Sequence, residues 1–387
     1  MALWKWLLLD KKVSKIISKL LKFYERTPKH FEGKILGSMT TYPHALAIYA
    51  YNLFIYTNYG DPFIFSALKK MEEEILLEIS KWYGETKLYG YITSGGTESN
   101  FLSIISAMMR NSCKNRVVLA PDTVHVSVIK ASRILGLKLV TIPTNNLPVD
   151  PCVLENYVRK YEPCIVIVTA GTTELGIIDP VKEVAKISKE YNIYMHVDAA
   201  YGGLIIPFLY KAGRIKQDLR FYKGVSSISI DFHKNGLTPI PSGMILYKNK
   251  NDLENICFDA SYTLYGKYCG LLGTRPGGPV ASVWAMVKYY GFDGYYEQAI
   301  NMHDLARYTY EKLQGIKDIC VYEPILPIVV FKHRRIPYIE LLYKLVRKGY
   351  YLYKSPSVKG LRIVVMPHLR KEHIDEFIRV LEELVKE

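Results

Sequence analysis

From Leu88 to Ile230 the chain alternates short β-branched runs with helical patterns, and no other feature limits its fold as strongly. The series reads "LYGYITS", a helix from Thr97, "RVVLAP", "VSVIKASRILG", "LKLVTIP", a helix after Asp150, "CIVIVTAG", "PVKEVAKISKEY", "IYMHVDAA" and "SSISID". Connections of this length are crossovers rather than hairpins, so the strands run parallel and helices cover both faces of the sheet. Past Gly277 the stretches "SVWAMVKYYG" and "YYEQAINMHDLARYTYEKLQG" lead away from that sheet. Then "ICVYEP", "PIVVFKH", "YIELLYKLVRKG", "YYLYKS", "LRIVVMP" and a helix from Lys371 form a second, smaller α/β unit. The expected organisation is an N-terminal helical segment over 1–60, a large domain over 61–290 and a small C-terminal α/β domain over 291–387.

A chain of 387 residues is long for one core, and 23% charged residues is ordinary for a globular protein. The six cysteines (113, 152, 164, 257, 269, 320) contain no C-x-x-C pair, so neither a disulfide framework nor a zinc site is expected. No metal site is expected elsewhere, and the protein reads as reducing and cytoplasmic. The apolar runs "ALWKWLLL" and "ALAIYAYNLFIY" are shorter than the ~18 residues that span a bilayer and carry Lys5 and Asn52. Each is expected to be a buried or subunit-contacting helix, without membrane contact. The net charge of +14, with eight Lys/Arg against two acids over residues 1–30, suits anionic ligands. No basic–aromatic recognition motif accompanies it, so no nucleic acid partner is expected.

Ligands of open α/β sheets collect beyond the carboxyl ends of the strands, and the chemically able residues stand there. Gly95-Gly96-Thr97 follows "LYGYITS" and opens a helix, where free N–H groups suit a phosphate; a tight turn with a Thr cap is the plain alternative. His125 follows "RVVLAPDT", and "TAGTTELG" sets Thr172 and Thr173 between glycines. Asp198 ends "MHVD" ahead of two alanines and two glycines, and a carboxylate so enclosed calls for a cation or strong donor. Lys234 closes "SISIDFHKNG", where an enclosed lysine can form a Schiff base. A phosphate cradle, a ring neighbour, a buried carboxylate and such a lysine are together the parts that hold pyridoxal phosphate.

With "GSMTTYPH", "NYGDP", "SGGTESN", "HVDAAYGG", "DFHKNGLTPIPSG", "GTRPG" and "LRIVVMPH…KEHIDEF" in order, the chain from about Gly33 onward resembles the fold-type I pyridoxal-phosphate enzymes. Within them it resembles the group II amino-acid decarboxylases, closest to the archaeal branch acting on L-tyrosine and L-aspartate. The resemblance implies a transferase-like fold with a mainly parallel seven-stranded sheet and a small C-terminal α/β domain. It implies pyridoxal 5'-phosphate joined to Lys234, with Asp198 at the pyridine nitrogen. His125 would lie on the ring, Ala200 on its other face and Thr172 near the ring hydroxyl. Gly95, Gly96, Thr97, Asp231 and His233 would surround the phosphate, Thr274 would reach the neighbouring subunit's phosphate in a homodimer with shared active sites, and Arg362 would bind the substrate carboxylate.

The expected reaction is α-decarboxylation of aspartate to β-alanine, tyrosine to tyramine, or both. The chain departs from many group II enzymes in the compact "DASYTLYGKYCGLLGTRPG", which replaces a long loop bearing a catalytic tyrosine. Lys234, Tyr262, Tyr265 and Tyr268 all remain candidates for reprotonating the α-carbon. A carbon–carbon lyase of the sphingosine-1-phosphate type shares "SGGTES"- and "RPGG"-like segments and is the first rival. A non-catalytic basic binding protein on the same scaffold is the second.

Overall fold

The computed structural model describes residues 10–110 and 113–386, so "ALWKWLLL" lies outside the described residues. Helix α1 (Lys11–Arg26) opens under Asp10, whose carboxylate accepts the N–H groups of Lys12 and Val13. Its Val13, Ile16, Leu20 and Phe23 recur at helical spacing, yet no residue of the helix is buried. In α2 (Ala45–Leu53) only Ala47 is buried, whereas α3 (Ser66–Trp82) sinks Leu68, Ile75, Ile79 and Trp82 into the core.

The large domain follows as β1 (Tyr89–Thr93), α4 (Gly96–Met108), β2 (Val117–Pro121), α5 (Val126–Ile134), β3 (Lys138–Ile142), α6 (Pro151–Tyr161) and β4 (Ile165–Thr169). It continues with α7 (Val181–Glu190), β5 (Tyr194–Asp198), α8 (Ile206–Lys211), β6 (Ser227–Ile230), the single turn α9 (Phe232–Asn235) and β7 (Gly243–Tyr247). Seven strands form one sheet in the order β1-β7-β6-β5-β4-β2-β3. Strands β2 to β6 are parallel, and β7 runs antiparallel to both β6 and β1. The alternation of strands and helices does not reveal β7: after the short turn at Lys234 the chain doubles straight back, so no crossover helix announces it. All residues of β4 (IVIVT) and β5 (YMHVD) are buried, which explains the apolar run of β4 and obliges His196 and Asp198 of β5 to find partners inside the protein.

Beyond α10 (Lys250–Glu254), the compact segment before "GTRPG" is a hairpin of β8 (Cys257–Asp259) and β9 (Lys267–Cys269). The two helical stretches that follow are one long helix, α11 (Gly278–Gln314), broken at Gly291 where φ is 55° and ψ −162°. That backbone suits glycine alone, so the helix changes direction beside the expected boundary at residue 290. The small unit comprises β10 (Ile319–Tyr322), β11 (Ile328–His333), α12 (Tyr338–Arg347), β12 (Tyr353–Ser355), β13 (Gly360–Val364) and α13 (Lys371–Lys386). Its antiparallel sheet has the order β10-β11-β13-β12.

The expectation of unpaired cysteines is overturned. Cys113 is joined to Cys164 and Cys257 to Cys269, leaving Cys152 and Cys320 free. Local spacing conceals the pairs because the fold makes them: Cys164 stands just before β4, and Cys257 faces Cys269 across the hairpin. Among the described residues no helix is long and apolar enough to cross a membrane, and no group of histidine, cysteine and acidic side chains could hold a metal ion.

The Cys113–Cys164 bond spans 51 positions of sequence, for which loop-closure entropy predicts about 4 kcal/mol of stabilisation. Reduction, or the double change Cys113→Ser and Cys164→Ser, is expected to lower the denaturant midpoint measurably without altering far-ultraviolet circular dichroism. An unchanged midpoint contradicts the staple.

Candidate active site

The carboxyl ends of β1, β2, β4, β5 and β6 release their loops on one side of the sheet, around a cavity of about 240 Å³. Gly95, Gly96 and Thr97 line it from β1, His125 from β2, Thr169 and Thr173 from β4. Asp198 and Ala200 come from β5, Asp231, His233 and Lys234 from β6, and Met39 from the N-terminal segment. Nine of the twelve expected site positions therefore meet in one place.

Asp198 is 5% exposed and holds three protein donors. Its Oδ1 accepts the Ala200 N–H (3.1 Å) and the Ser229 hydroxyl (3.3 Å), and its Oδ2 accepts the Asn100 amide (2.8 Å). Burial pushes the carboxyl pKa upward, but the Asn100 hydrogen bond and the nearby Lys234 cation outweigh it and hold the group below its ordinary value. An ionised carboxylate with one flank toward the cavity is thus ready for a cationic partner. His125 caps α5 by accepting the Ser127 N–H at Nδ1 (3.3 Å), and burial holds the imidazole below its ordinary pKa.

On the opposite wall the glycines leave space that side chains would fill. Gly95 has φ of +140°, and a Cβ there would lie 2.8 Å from His233 Cε1; one on Gly96 would lie 2.9 Å from Ala200 Cβ. The His233 Nδ1–H donates to the Ser242 carbonyl (2.7 Å), and Lys234 Nζ stands 3.1 Å from Asp231 Oδ2. The other oxygen, Asp231 Oδ1, is buried and has no partner, and Thr169 Oγ1 is likewise orphaned.

Three expected positions lie elsewhere. The Thr172 hydroxyl faces its own loop and accepts the Ile177 N–H (2.9 Å), so Thr169 and Thr173 line the cavity in its stead. Arg362 is 4% exposed, and it donates to the Thr173 and Gly37 carbonyls from beneath the cavity rather than lining it. Thr274 is exposed, in a loop anchored by Arg275, which pairs with Glu72 (3.0 Å) between the rings of Tyr59 and Tyr91. None of Tyr262, Tyr265 and Tyr268 lines the cavity of its own chain; Tyr265 and Tyr268 line a separate recess with Arg275. Sequence reasoning missed Asn100, Ser127, His196 and Met39. Asn100 lies inside the quoted "SGGTESN", one turn beyond Gly96 on the same helix, which was the available signal.

Residues 65–334 match the model of the pyridoxal-dependent decarboxylase conserved domain. The chain belongs to this family. A probable L-tyrosine/L-aspartate decarboxylase of Methanosphaera stadtmanae is 36% identical over 370 residues, covering 94% of this chain and 95% of that protein. The L-aspartate decarboxylase of Thermococcus kodakarensis is 39% identical over 359 residues, 92% of each. Among solved structures, a sphingosine-1-phosphate lyase of Burkholderia pseudomallei superposes with a TM-score of 0.85 at 21% identity, over 96% of this chain and 90% of that one. The glutamate decarboxylase of Lactobacillus brevis gives 0.84 at 19%, over 98% and 92%. At such identity these structures speak for the fold alone, the fold-type I architecture.

The protein is a pyridoxal-phosphate-dependent amino-acid decarboxylase, and the cavity fits that cofactor. The glycine cradle at the start of α4 leaves room and N–H donors for a phosphate, the orphaned Thr169 hydroxyl awaits a polar partner, and Asp198 supplies the anion for a protonated ring nitrogen. Gly95→Ala is expected to weaken pyridoxal phosphate binding at least roughly tenfold, measured by absorption titration, while the protein stays folded. Burial also pushes two histidines down, His196 to about 4 and His368 to about 3. Below pH 6.5 the unfolded chain binds protons that these folded sites refuse, so stability falls as pH drops from 6.5 toward 4. A loss on the order of 6 kcal/mol, roughly 3 from each histidine, is expected between urea melts at pH 7 and pH 4.

Proposed function

We propose that the protein decarboxylates L-aspartate to β-alanine and carbon dioxide as a cytoplasmic homodimer whose subunits share active sites. The observation that carries the chemistry is the ionised, buried Asp198 in the same cavity as Lys234. Aspartate is the substrate named for both curated relatives described above, and tyrosine is named for one of them. Tyrosine decarboxylation to tyramine is accordingly the second reading.

When bound, pyridoxal phosphate accepts the electron pair that departing carbon dioxide leaves on the α-carbon. Lys234 would anchor it, Asp198 would keep its ring nitrogen protonated, and His125 and Ala200 would flank the ring. Gly95, Gly96, Thr97 and His233 would hold the phosphate, while Thr169 and Thr173 take the place expected of Thr172 beside the ring. Arg362, held by the Thr173 and Gly37 carbonyls and with its buried Nε unpartnered among the described residues, would bind the substrate carboxylate. Lys234 can return a proton to the α-carbon, and a partner's hairpin tyrosine is the other source.

The dimer is supported by exposed apolar side chains around α2, among them Tyr49, Leu53, Tyr56 and Phe63, and by the unburied α1. Thr274, exposed at the tip of its loop, would then approach the neighbouring cavity. A cytoplasmic setting for a chain with two disulfides has its precedent in the intracellular proteins of hyperthermophiles. The lyase rival has the fold and the shared "SGGTES"- and "RPGG"-like segments in its favour, whereas the relatives described above are named decarboxylases.

Incubating the loaded enzyme with L-aspartate, L-tyrosine and L-glutamate and identifying the amine by mass spectrometry tests the assignment. β-Alanine is expected; tyramine alone would favour the second reading, and neither would overturn both. Lys234→Ala is expected to abolish the product and the visible absorption band of the cofactor.

A further inference from the structure

Asn100 is 1% exposed, and its one amide meets three partners on two other elements. Nδ2 lies 2.8 Å from Asp198 Oδ2 and 2.8 Å from Ser127 Oγ, and Oδ1 lies 2.9 Å from His196 Nε2. An ionised carboxylate only accepts, so the nitrogen of the amide must face Asp198 and the oxygen must face His196. His196 therefore carries its hydrogen on Nε2. It is fully buried and held neutral, which leaves Nδ1 bare to accept the Ser227 hydroxyl at 2.8 Å.

The same logic runs the other way. The second hydrogen of Nδ2 goes to Ser127 Oγ, so the serine's own hydrogen is free to donate. Its neighbour at 2.8 Å is His125 Nδ1, already bare because it accepts the Ser127 N–H. His125 must then carry its hydrogen on Nε2, a nitrogen with no protein partner among the described residues. A chain of five side chains, Ser227, His196, Asn100, Ser127 and His125, has one self-consistent arrangement of hydrogens, and Asp198 branches from its middle.

We propose that Asn100 is the positioning residue that sets the hydrogen inventory of the cofactor cavity. It holds the Asp198 carboxylate in place for the ring nitrogen and, through Ser127, fixes His125 as the tautomer that presents an N–H to the cavity. That N–H can bond a substrate carboxylate; the other tautomer would meet it with a lone pair. The inference rests on the reading of this cavity as the cofactor site.

Long-range proton–nitrogen correlation spectra of histidine-labelled, cofactor-free protein read the tautomers directly. His125 and His196 are both expected as Nε2–H forms, and Ser127→Ala is expected to release His125 into a tautomer mixture while leaving His196 unchanged. Either histidine found as Nδ1–H in the unaltered protein overturns the network whatever the cavity binds. In the loaded enzyme, Ser127→Ala is expected to raise KM roughly tenfold with little change in kcat.

Asn100→Asp and Asn100→Ala separate positioning from packing. The aspartate keeps the shape but sets a second carboxylate against Asp198, so it is expected to weaken cofactor binding at least as much as alanine, roughly tenfold or more. Wild-type affinity in Asn100→Asp with a loss in Asn100→Ala would show that only volume matters and overturn the proposal. If Lys234→Ala retained the cofactor band while the tautomers stood as expected, the reading of the cavity would fail and the network would survive.

Discussion

A carboxylate out of reach of bulk water is the constraint on which the rest of this structure depends. Asp198 sits at the end of a fully buried strand, where an ion without donors would cost several kcal/mol. The fold answers with a backbone N–H, a serine from β6 and an amide from α4. Each of those donors is set by an element that also lines the cavity, so satisfying the charge and building the site are one task. The glycine cradle starts the same helix that supplies Asn100, and β6, which supplies Ser229, runs directly into Asp231 and Lys234.

Residues with unusual chemistry for their place were legible in the sequence. Lys234, Asp198, His125 and the paired glycines stand at strand ends, where an apolar run gives way to polar or flexible residues. Thr172 illustrates the limit: in "TAGTT" three threonines compete, and the hydroxyl captured by the Ile177 N–H is identifiable only once the loop is closed. Asn100 looks like any polar residue in the first turns of a helix, because its value comes from partners 27, 96 and 98 positions away. Strand β7 and the cysteine pairs escaped for a related reason, since both are defined by partners that local spacing does not record.

A buried cation helps tie the small unit to the site, beside the Tyr201 hydroxyl that donates to the Pro327 carbonyl. Arg362 lies on β13, paired to β11 and β12, and its guanidinium reaches the carbonyls of Thr173 and Gly37. It thereby clasps the loop after β4 to the segment that brings Met39 to the cavity. Burial disfavours the charged guanidinium and pushes its pKa down, so the carbonyls are needed to keep it there. The clasp does not exhaust the arginine: its Nε is buried without a partner among the described residues, so the carboxylate-binding role expected of it stays open to it.

The placement of β7 has a consequence for how the protein is made. Among the described residues strand β1 pairs with β7 and no other strand, and β7 ends at Tyr247. On the ribosome, β1 and the glycines that follow it must therefore wait, without a sheet neighbour, until more than half of the chain has been synthesised. Contacts so distant in sequence are slow to close. The glycine cradle is consequently completed only after the first half of synthesis, although its residues are among the earliest of the large domain to be made.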